Sequence, residues 1–186
     1  MSTPPYRLVQ LPATLEVGDL DFDCGSEEYN RWLRLHAHRA VSSGSASVCL
    51  LLETGSDRCI GYFTLSPTQV VKEQIPSELH GGLMRTAPGF LIGKLALDKT
   101  LQTRWRREQG LAPLSQSVGP DLLRAAVLKA VEASRVGGGQ VIVVDAANED
   151  LVTYYQRWGF TPAEGAGQLR LYLKMSTARK YAETNT

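Results

Sequence analysis

Phe90-Leu91-Ile92-Gly93-Lys94-Leu95-Ala96-Leu97-Asp98, followed after a polar excursion by Ser117-Val118-Gly119-Pro120-Asp121-Leu122-Leu123-Arg124, is the stretch whose reading decides the fold. Its first segment is an apolar run, broken at Gly93 and Lys94, long enough for a central strand. In the second, small residues lead to a proline suited to a helix's first turn. Leu122, Leu123, Ala126, Val127, Ala130 and Val131 then share one helical face, and Gly137-Gly138-Gly139 stops the helix after Arg135. A small-residue turn feeding a helix presents unpaired N–H groups and the positive end of the helix dipole, which suits a diphosphate. A plain N-cap turn has the same appearance, so the segment alone leaves both readings open.

Upstream, Ser26 is placed to cap an amphipathic helix to Ala40, with Tyr29, Trp32, Leu33, His36 and Ala40 on the inward face and Arg31, Arg34, His38 and Arg39 opposite. Ser47–Glu53 and Cys59–Leu65 read as strands joined by the hairpin Thr54-Gly55-Ser56-Asp57, and Ser66–Pro88 as a polar connection. Downstream, Val141–Val144 has the β-branched composition of a strand covered on both sides. Asn148 caps a short helix with Leu151, Val152, Tyr155 and Trp158 on one face, ended by Gly159-Phe160 and Pro162; Gln168–Lys174 is the last strand, and Ser176–Thr186 is a polar tail expected to fray or to contact a partner. The order of elements implies an α/β (α+β) architecture, a mixed sheet with helices packed on it, in a single domain over residues 1–186.

Hydrophobic residues make up 43% of the chain and charged residues 21%, well outside the regime of disorder. A net charge of +1 excludes a protein-wide basic field, so any attraction for nucleic acid must come from local clusters. Two are present: Arg31, Arg34 and Arg39 on the first helix, and Arg104, Trp105, Arg106 and Arg107 in the excursion. Cations around an aromatic ring suit a phosphate backbone and a stacked base, although a solvated loop with Trp105 packed inward fits equally. Cys24, Cys49 and Cys59 lack metal-ligand spacing, so no metal is implied, and the latter two sit in strand-like runs as small hydrophobes. Met1–Thr14 lacks a leader pattern and no run approaches the roughly 18 apolar residues of a membrane span, so the expectation is a soluble, cytoplasmic protein.

The segment Asn148 to Phe160, with Tyr155 four residues before Gly159-Phe160, resembles the corresponding pattern of GNAT-superfamily N-acetyltransferases. Together with Leu95–Leu97, the Phe22-Asp23-Cys24-Gly25 motif, the helix Tyr29-Asn30-Arg31-Trp32-Leu33 and Gly61-Tyr62-Phe63-Thr64-Leu65-Ser66, the resemblance narrows to the GNAT toxins of bacterial toxin–antitoxin pairs. It runs from about Asp21 to Lys174.

The resemblance implies a mostly antiparallel sheet with splayed central strands, and transfer of acetyl from acetyl-CoA to the α-amine of an aminoacyl-tRNA, which stops translation. It also implies a ribbon-helix-helix antitoxin and a homodimer. By the same resemblance the backbone N–H of Leu97 faces the thioester carbonyl while pantetheine pairs along Leu95 and Ala96, Tyr155 is the general acid to the departing thiolate, and Asn148 contacts the cofactor or caps its helix. The family's phosphate loop departs here: Gln102, by the resemblance a cofactor contact, stands where expected after Asp98, but Thr103 to about Gln116 intervenes. Counted back from the helix, Leu114, Ser117 and Gly119 fall at the loop's Gln and two glycines, so Ser117, Val118, Gly119 and Pro120 are the diphosphate candidates. Ser117 in place of glycine is acceptable only at negative φ. Two other readings are a GNAT enzyme acting on a small amine or a protein N-terminus, and a GNAT module that binds without catalysing.

Overall fold

A computed structural model describes residues 6–12, 17, 20–165 and 168–184. The elements are β1 Tyr6–Gln10, α1 Glu27–Ser42, β2 Ser47–Glu53, β3 Cys59–Val71, β4 Thr86–Leu97, α2 Thr103–Glu108, α3 Val118–Gly137, β5 Val141–Asp145, α4 Glu149–Arg157, β6 Thr161–Pro162, β7 Arg170–Lys174 and α5 Met175–Thr184. The strands are ordered β1-β2-β3-β4-β5-β7-β6. β4 and β5 run parallel, whereas β1–β2, β5–β7 and β6–β7 are antiparallel. The chain divides into two compact units, Met1–Thr64 with Lys94–Ala126 and Leu65–Gly93 with Val127–Thr186, whose boundaries cut through β3, β4 and α3.

In the first unit, the expected hairpin forms: Asp57 donates its N–H to Glu53 O (3.1 Å) and Glu53 donates to Arg58 O (2.9 Å). Gly55 at φ +94° supplies the left-handed backbone this turn requires. β1 pairs with β2 from Tyr6↔Glu53 to Gln10↔Cys49, an edge strand inside a stretch read only for a leader pattern. Residues 1–5, 13 and 14 of that stretch lie outside the described residues. On α1 the buried positions are Asn30, Leu33, Ala37 and Ala40. Tyr29 and Trp32 are half-buried and His36 is exposed, so the inward face is rotated from the one expected. Leu33 and Ala37 pack with Phe22, Val48, Leu50, Tyr62 and Ala96. Trp32 lies parallel to Tyr62 at 6.1 Å and Phe22 meets that ring edge-on at 5.5 Å. Each large apolar side chain buried this way contributes roughly 1.5–3 kcal/mol.

In the second unit β4 pairs with β5 from Gly89↔Val141 to Ile92↔Val144, and β5 with β7 from Val141↔Lys174 to Asp145↔Arg170. Val70, Ile75, Ala87, Val141, Val143 and Tyr172 form its core. The polar connection expected from Ser66 to Pro88 is shorter: β3 continues to Val71 and β4 starts at Thr86. Ser66 to Val71 alternates less and more exposed residues, a period of two that its polar composition concealed. Pro67 is tolerated because its missing N–H matters only where a ladder bond is needed. In the tail, residues 185 and 186 lie outside the described residues, and the rest is helical rather than frayed. Met175–Thr184 is a helix, with Met175 and Ala178 buried and Arg179 Nη2 donating to Ser134 Oγ of α3 (3.1 Å). Two buried apolar residues three apart in a polar stretch suffice to seat a helical turn, and mean polarity hides them.

Candidate functional site

The candidates divide between the units. In the first, the direction of each peptide at the end of β4 follows from its bonds. Asp98 N–H donates to Ile60 O (2.9 Å) and Lys94 N–H to Thr64 Oγ1 (2.9 Å), so residues 94 and 98 face β3. Strand alternation then puts the main-chain groups of Ala96 on the β3 side and those of Leu95 and Leu97 on the opposite edge. Leu97 O, on that edge, accepts from Gln102 Nε2 at 2.7 Å. Ala96 is buried in the core and Leu95 is half-buried.

Gln102 Nε2 also donates to Cys24 O (2.9 Å), joining the Phe22–Gly25 motif to the end of β4. Asp23 is held there as well: its carboxylate accepts from Lys99 Nζ (2.5 Å), Gly25 N–H (2.8 Å) and Asn30 Nδ2 (2.8 Å), and its carbonyl from Lys99 N–H (2.8 Å). The Lys99 ammonium first, then the Gly25 and Asn30 donors, pull its pKa down to about 2. Asn30, buried on α1, accepts from Cys24 N–H (2.9 Å) with its other amide atom. Asp98 is buried and accepts from Arg58 Nη2 (2.9 Å), Thr100 N–H and Thr100 Oγ1. The chemistry of this motif is not legible in the sequence, because its partners lie up to 78 positions apart.

The excursion folds into α2 and a loop. Arg106 turns inward, donating from Nε to Ala112 O (2.9 Å) and from Nη1 to Thr100 O (3.0 Å). Trp105 is half-buried, Arg104 pairs with Glu108 (3.0 Å), and Arg107 is exposed. The four residues therefore do not form one grip: Arg106 ties down the loop while Arg104 and Arg107 meet solvent. Leu114 is half-buried; Ser117 is exposed, immediately before α3, and Gly119 and Pro120 lie in its first turn. Among the described residues Asp57 is the non-glycine with positive φ, so Ser117 keeps the negative φ a serine needs. Asp121, also in that turn, accepts a hydrogen bond from the Tyr6 hydroxyl, whose pKa is pushed up to about 12 by burial and then by this carboxylate.

On α1, Arg31 and Arg39 are exposed and Arg34 donates to Glu27 (3.2 Å). Against the same helix the Lys94 ammonium stands 4.3 Å from the Tyr29 ring centroid and 5.5 Å from that of Trp32, with Glu28 at 3.4 Å. Cys59 is buried and its thiol pushed up to about 11 by that burial; burial likewise raises Cys24, which suits neither as a thiolate nucleophile.

In the second unit Asn148 caps α4, its Oδ1 accepting from Leu151 N–H (3.0 Å) at φ −163°. Tyr155 is the buried residue of α4, while Leu151 and Trp158, expected beside it, are 36% and 40% exposed. α4 spans only nine residues and buries Tyr155 alone, so the flanks of its apolar stripe stay in solvent. The Tyr155 ring lies 5.5 Å from Tyr154 and 5.8 Å from Phe160. Its carbonyl accepts from Trp158 N–H (2.9 Å) and Phe160 N–H (3.2 Å), so the Gly159-Phe160 turn folds back on the residue it follows.

No protein-family profile matches the chain. A tRNA-acetylating toxin of Mycobacterium tuberculosis is 26% identical over 160 residues, which cover 85% of this chain and 86% of that protein. Among solved structures, a tyrosine-to-phenylalanine variant of KacT superposes with a TM-score of 0.80 at 22% identity, covering 95% of this chain and 99% of that one. AtaT in complex with acetyl-methionyl-tRNAfMet gives 0.78 at 23% identity, over 95% and 99%. A variant AtaT bound to the C-terminus of the antitoxin AtaR and acetyl-CoA gives 0.75 at 22%, over 96% and 98%.

Proposed function

We propose that this chain, whose fold is that of the GNAT toxins KacT and AtaT, is an acetyl-CoA-dependent N-acetyltransferase that modifies the α-amine of an aminoacyl-tRNA and so inhibits translation. The observation that carries the reading is the edge of β4: Leu95 and Leu97 turn their main chain away from β3, beyond the last β5 pair at Ile92. Such an edge supplies donors to an extended ligand and to an acyl oxygen. The named relative, a tRNA-acetylating toxin, supports the acceptor.

The donor set suits acetyl-CoA. Ser117 is exposed at the mouth of the 20-residue α3, and the first-turn N–H groups of Val118 and Gly119 have no partner within the helix. In the proposal Ser117, Val118, Gly119 and Pro120 hold the diphosphate, with Leu114 packing beside them, and Leu95 and Ala96 align the pantetheine. When bound, acetyl-CoA supplies an activated acetyl group. Leu97 N–H donates to the carbonyl oxygen as negative charge grows on it. Tyr155 donates its phenolic proton to the departing sulfur. Asn148 fixes the start of α4, and Gln102 holds Leu97 rather than the ligand. Arg31, Arg34, Arg39, Arg104 and Arg107 are the proposed tRNA contacts, with Trp105 and Arg106 shaping the loop between. A cytoplasmic location, a homodimer and a ribbon-helix-helix antitoxin belong to the same proposal.

Tyr155→Phe tests the chemistry. Turnover is expected to fall by roughly 10²–10⁴-fold, with the Kd for acetyl-CoA changed by less than about twofold. Undiminished turnover would return Tyr155 to a purely packing role.

A further inference from the structure

We propose that Gln102 and Asn30 are positioning residues for acyl transfer: through Cys24 and Asp23 they fix the Leu97 peptide so that its N–H holds one direction. The inference rests on the role proposed above for that N–H.

The Leu97–Asp98 peptide is pinned at both ends. Its N–H donates to Ile60 O (2.9 Å) and its carbonyl accepts from Gln102 Nε2 (2.7 Å). One residue back, Ala96 O lies so close to β3 that a Cβ on Gly61 would stand 3.1 Å from it. The Leu97 N–H is thus carried between two fixed peptide planes, and Gln102 reaches the edge on which it points.

Gln102 in turn needs a reference, which is Cys24 O (2.9 Å). Asn30 holds Cys24 by using both ends of its buried amide, accepting from Cys24 N–H (2.9 Å) and donating to Asp23 (2.8 Å). A donor amide is required at residue 102, because both acceptors are carbonyl oxygens that a carboxylate would repel. At residue 30 a group that both donates and accepts is required, which aspartate cannot be when ionised.

The test combines rates with the amide resonance of Leu97 in the isotope-labelled full chain. In Gln102→Glu and Gln102→Met, that resonance is expected to shift and kcat to fall roughly 10–100-fold, with the acetyl-CoA Kd changed by less than about twofold. Asn30→Asp places a second carboxylate against Asp23. Its activity relative to the wild type is expected to decline as pH rises above the carboxylate range and to recover below it, where the new carboxyl group is protonated and can donate. An unmoved Leu97 resonance in both folded Gln102 variants overturns the inference whether or not kcat falls, and so does an Asn30→Asp activity ratio flat across pH. Should the wild type transfer no acetyl group at all, the functional reading fails separately, and the Leu97 resonance still decides whether the network sets that peptide.

Discussion

The two halves of β4 satisfy their main chain by opposite means. From Gly89 to Ile92 the strand is locked in a regular parallel ladder with Val141–Val144, close enough that a Cβ on Gly89 would come within 2.3 Å of Val141 O. From Lys94 to Leu97, side chains supply part of the bonding: Thr64 Oγ1 takes the Lys94 N–H from the β3 side and Gln102 caps the Leu97 carbonyl on the opposite edge. A ladder leaves no main-chain group for a ligand. An outer edge capped by one side chain, at the Leu97 carbonyl, leaves the neighbouring N–H groups of Leu95 and Leu97 aimed outward, which is the condition for binding and catalysis along a strand.

The largest effect is expected at Leu97. Leu97→Pro removes the proposed donor on an edge where proline's fixed φ is tolerated, and kcat/KM is expected to drop roughly 10²–10³-fold. Leu97→Ala retains the N–H and serves as control in the same transfer assay; equal losses in both would mean that the side chain matters and the donor does not. In the ladder half, Gly89→Ala meets backbone rather than a flexible side chain and should destabilise by roughly 1–3 kcal/mol or more, read as a lower urea midpoint. An unchanged midpoint would show that β4 and β5 are less tightly apposed than described.

Thr64→Val is nearly isosteric but leaves the Lys94 N–H without its acceptor, and urea unfolding should register a loss of about 1–3 kcal/mol that Thr64→Ser avoids. The smallest effect concerns half-exposed Asp23. Its folded pKa is depressed to about 2 by Lys99, Gly25 and Asn30, so its contribution is complete above the usual carboxylate range and is lost as pH falls toward 2. Asp23→Asn should therefore flatten the fall in Tm between pH 5 and pH 2; a parallel shift of the whole curve would contradict the assignment.

What the sequence made legible follows the same division. Apolar periodicity and turn chemistry revealed β4 from Phe90 to Leu97, β5, the β2–β3 hairpin, α3 and the Asn148 cap, because each depends on neighbours in sequence. Polar strand ends did not announce themselves: Ser66–Val71 alternates in exposure but not in hydrophobicity as usually read. The roles of Gln102, Asn30 and Asp23 were hidden for a different reason. Hydrogen bonds spanning 76 or 78 residues leave no periodic trace, and Gln102 looked like a cofactor ligand while its amide serves two carbonyls. The Arg104–Arg107 cluster was legible as charge but not as geometry, since the turn that aims Arg106 inward depends on where Thr100 and Ala112 come to lie.

In the proposed function the outward edge of β4 delivers acetyl to an aminoacyl amine. The most direct measurement incubates the purified chain with labelled acetyl-CoA and a set of charged and uncharged tRNAs. The account predicts label on the α-amine of aminoacyl-tRNA and none on uncharged tRNA. Label confined to polyamines or protein N-termini, or acetyl-CoA left unconsumed with every charged tRNA, would contradict it.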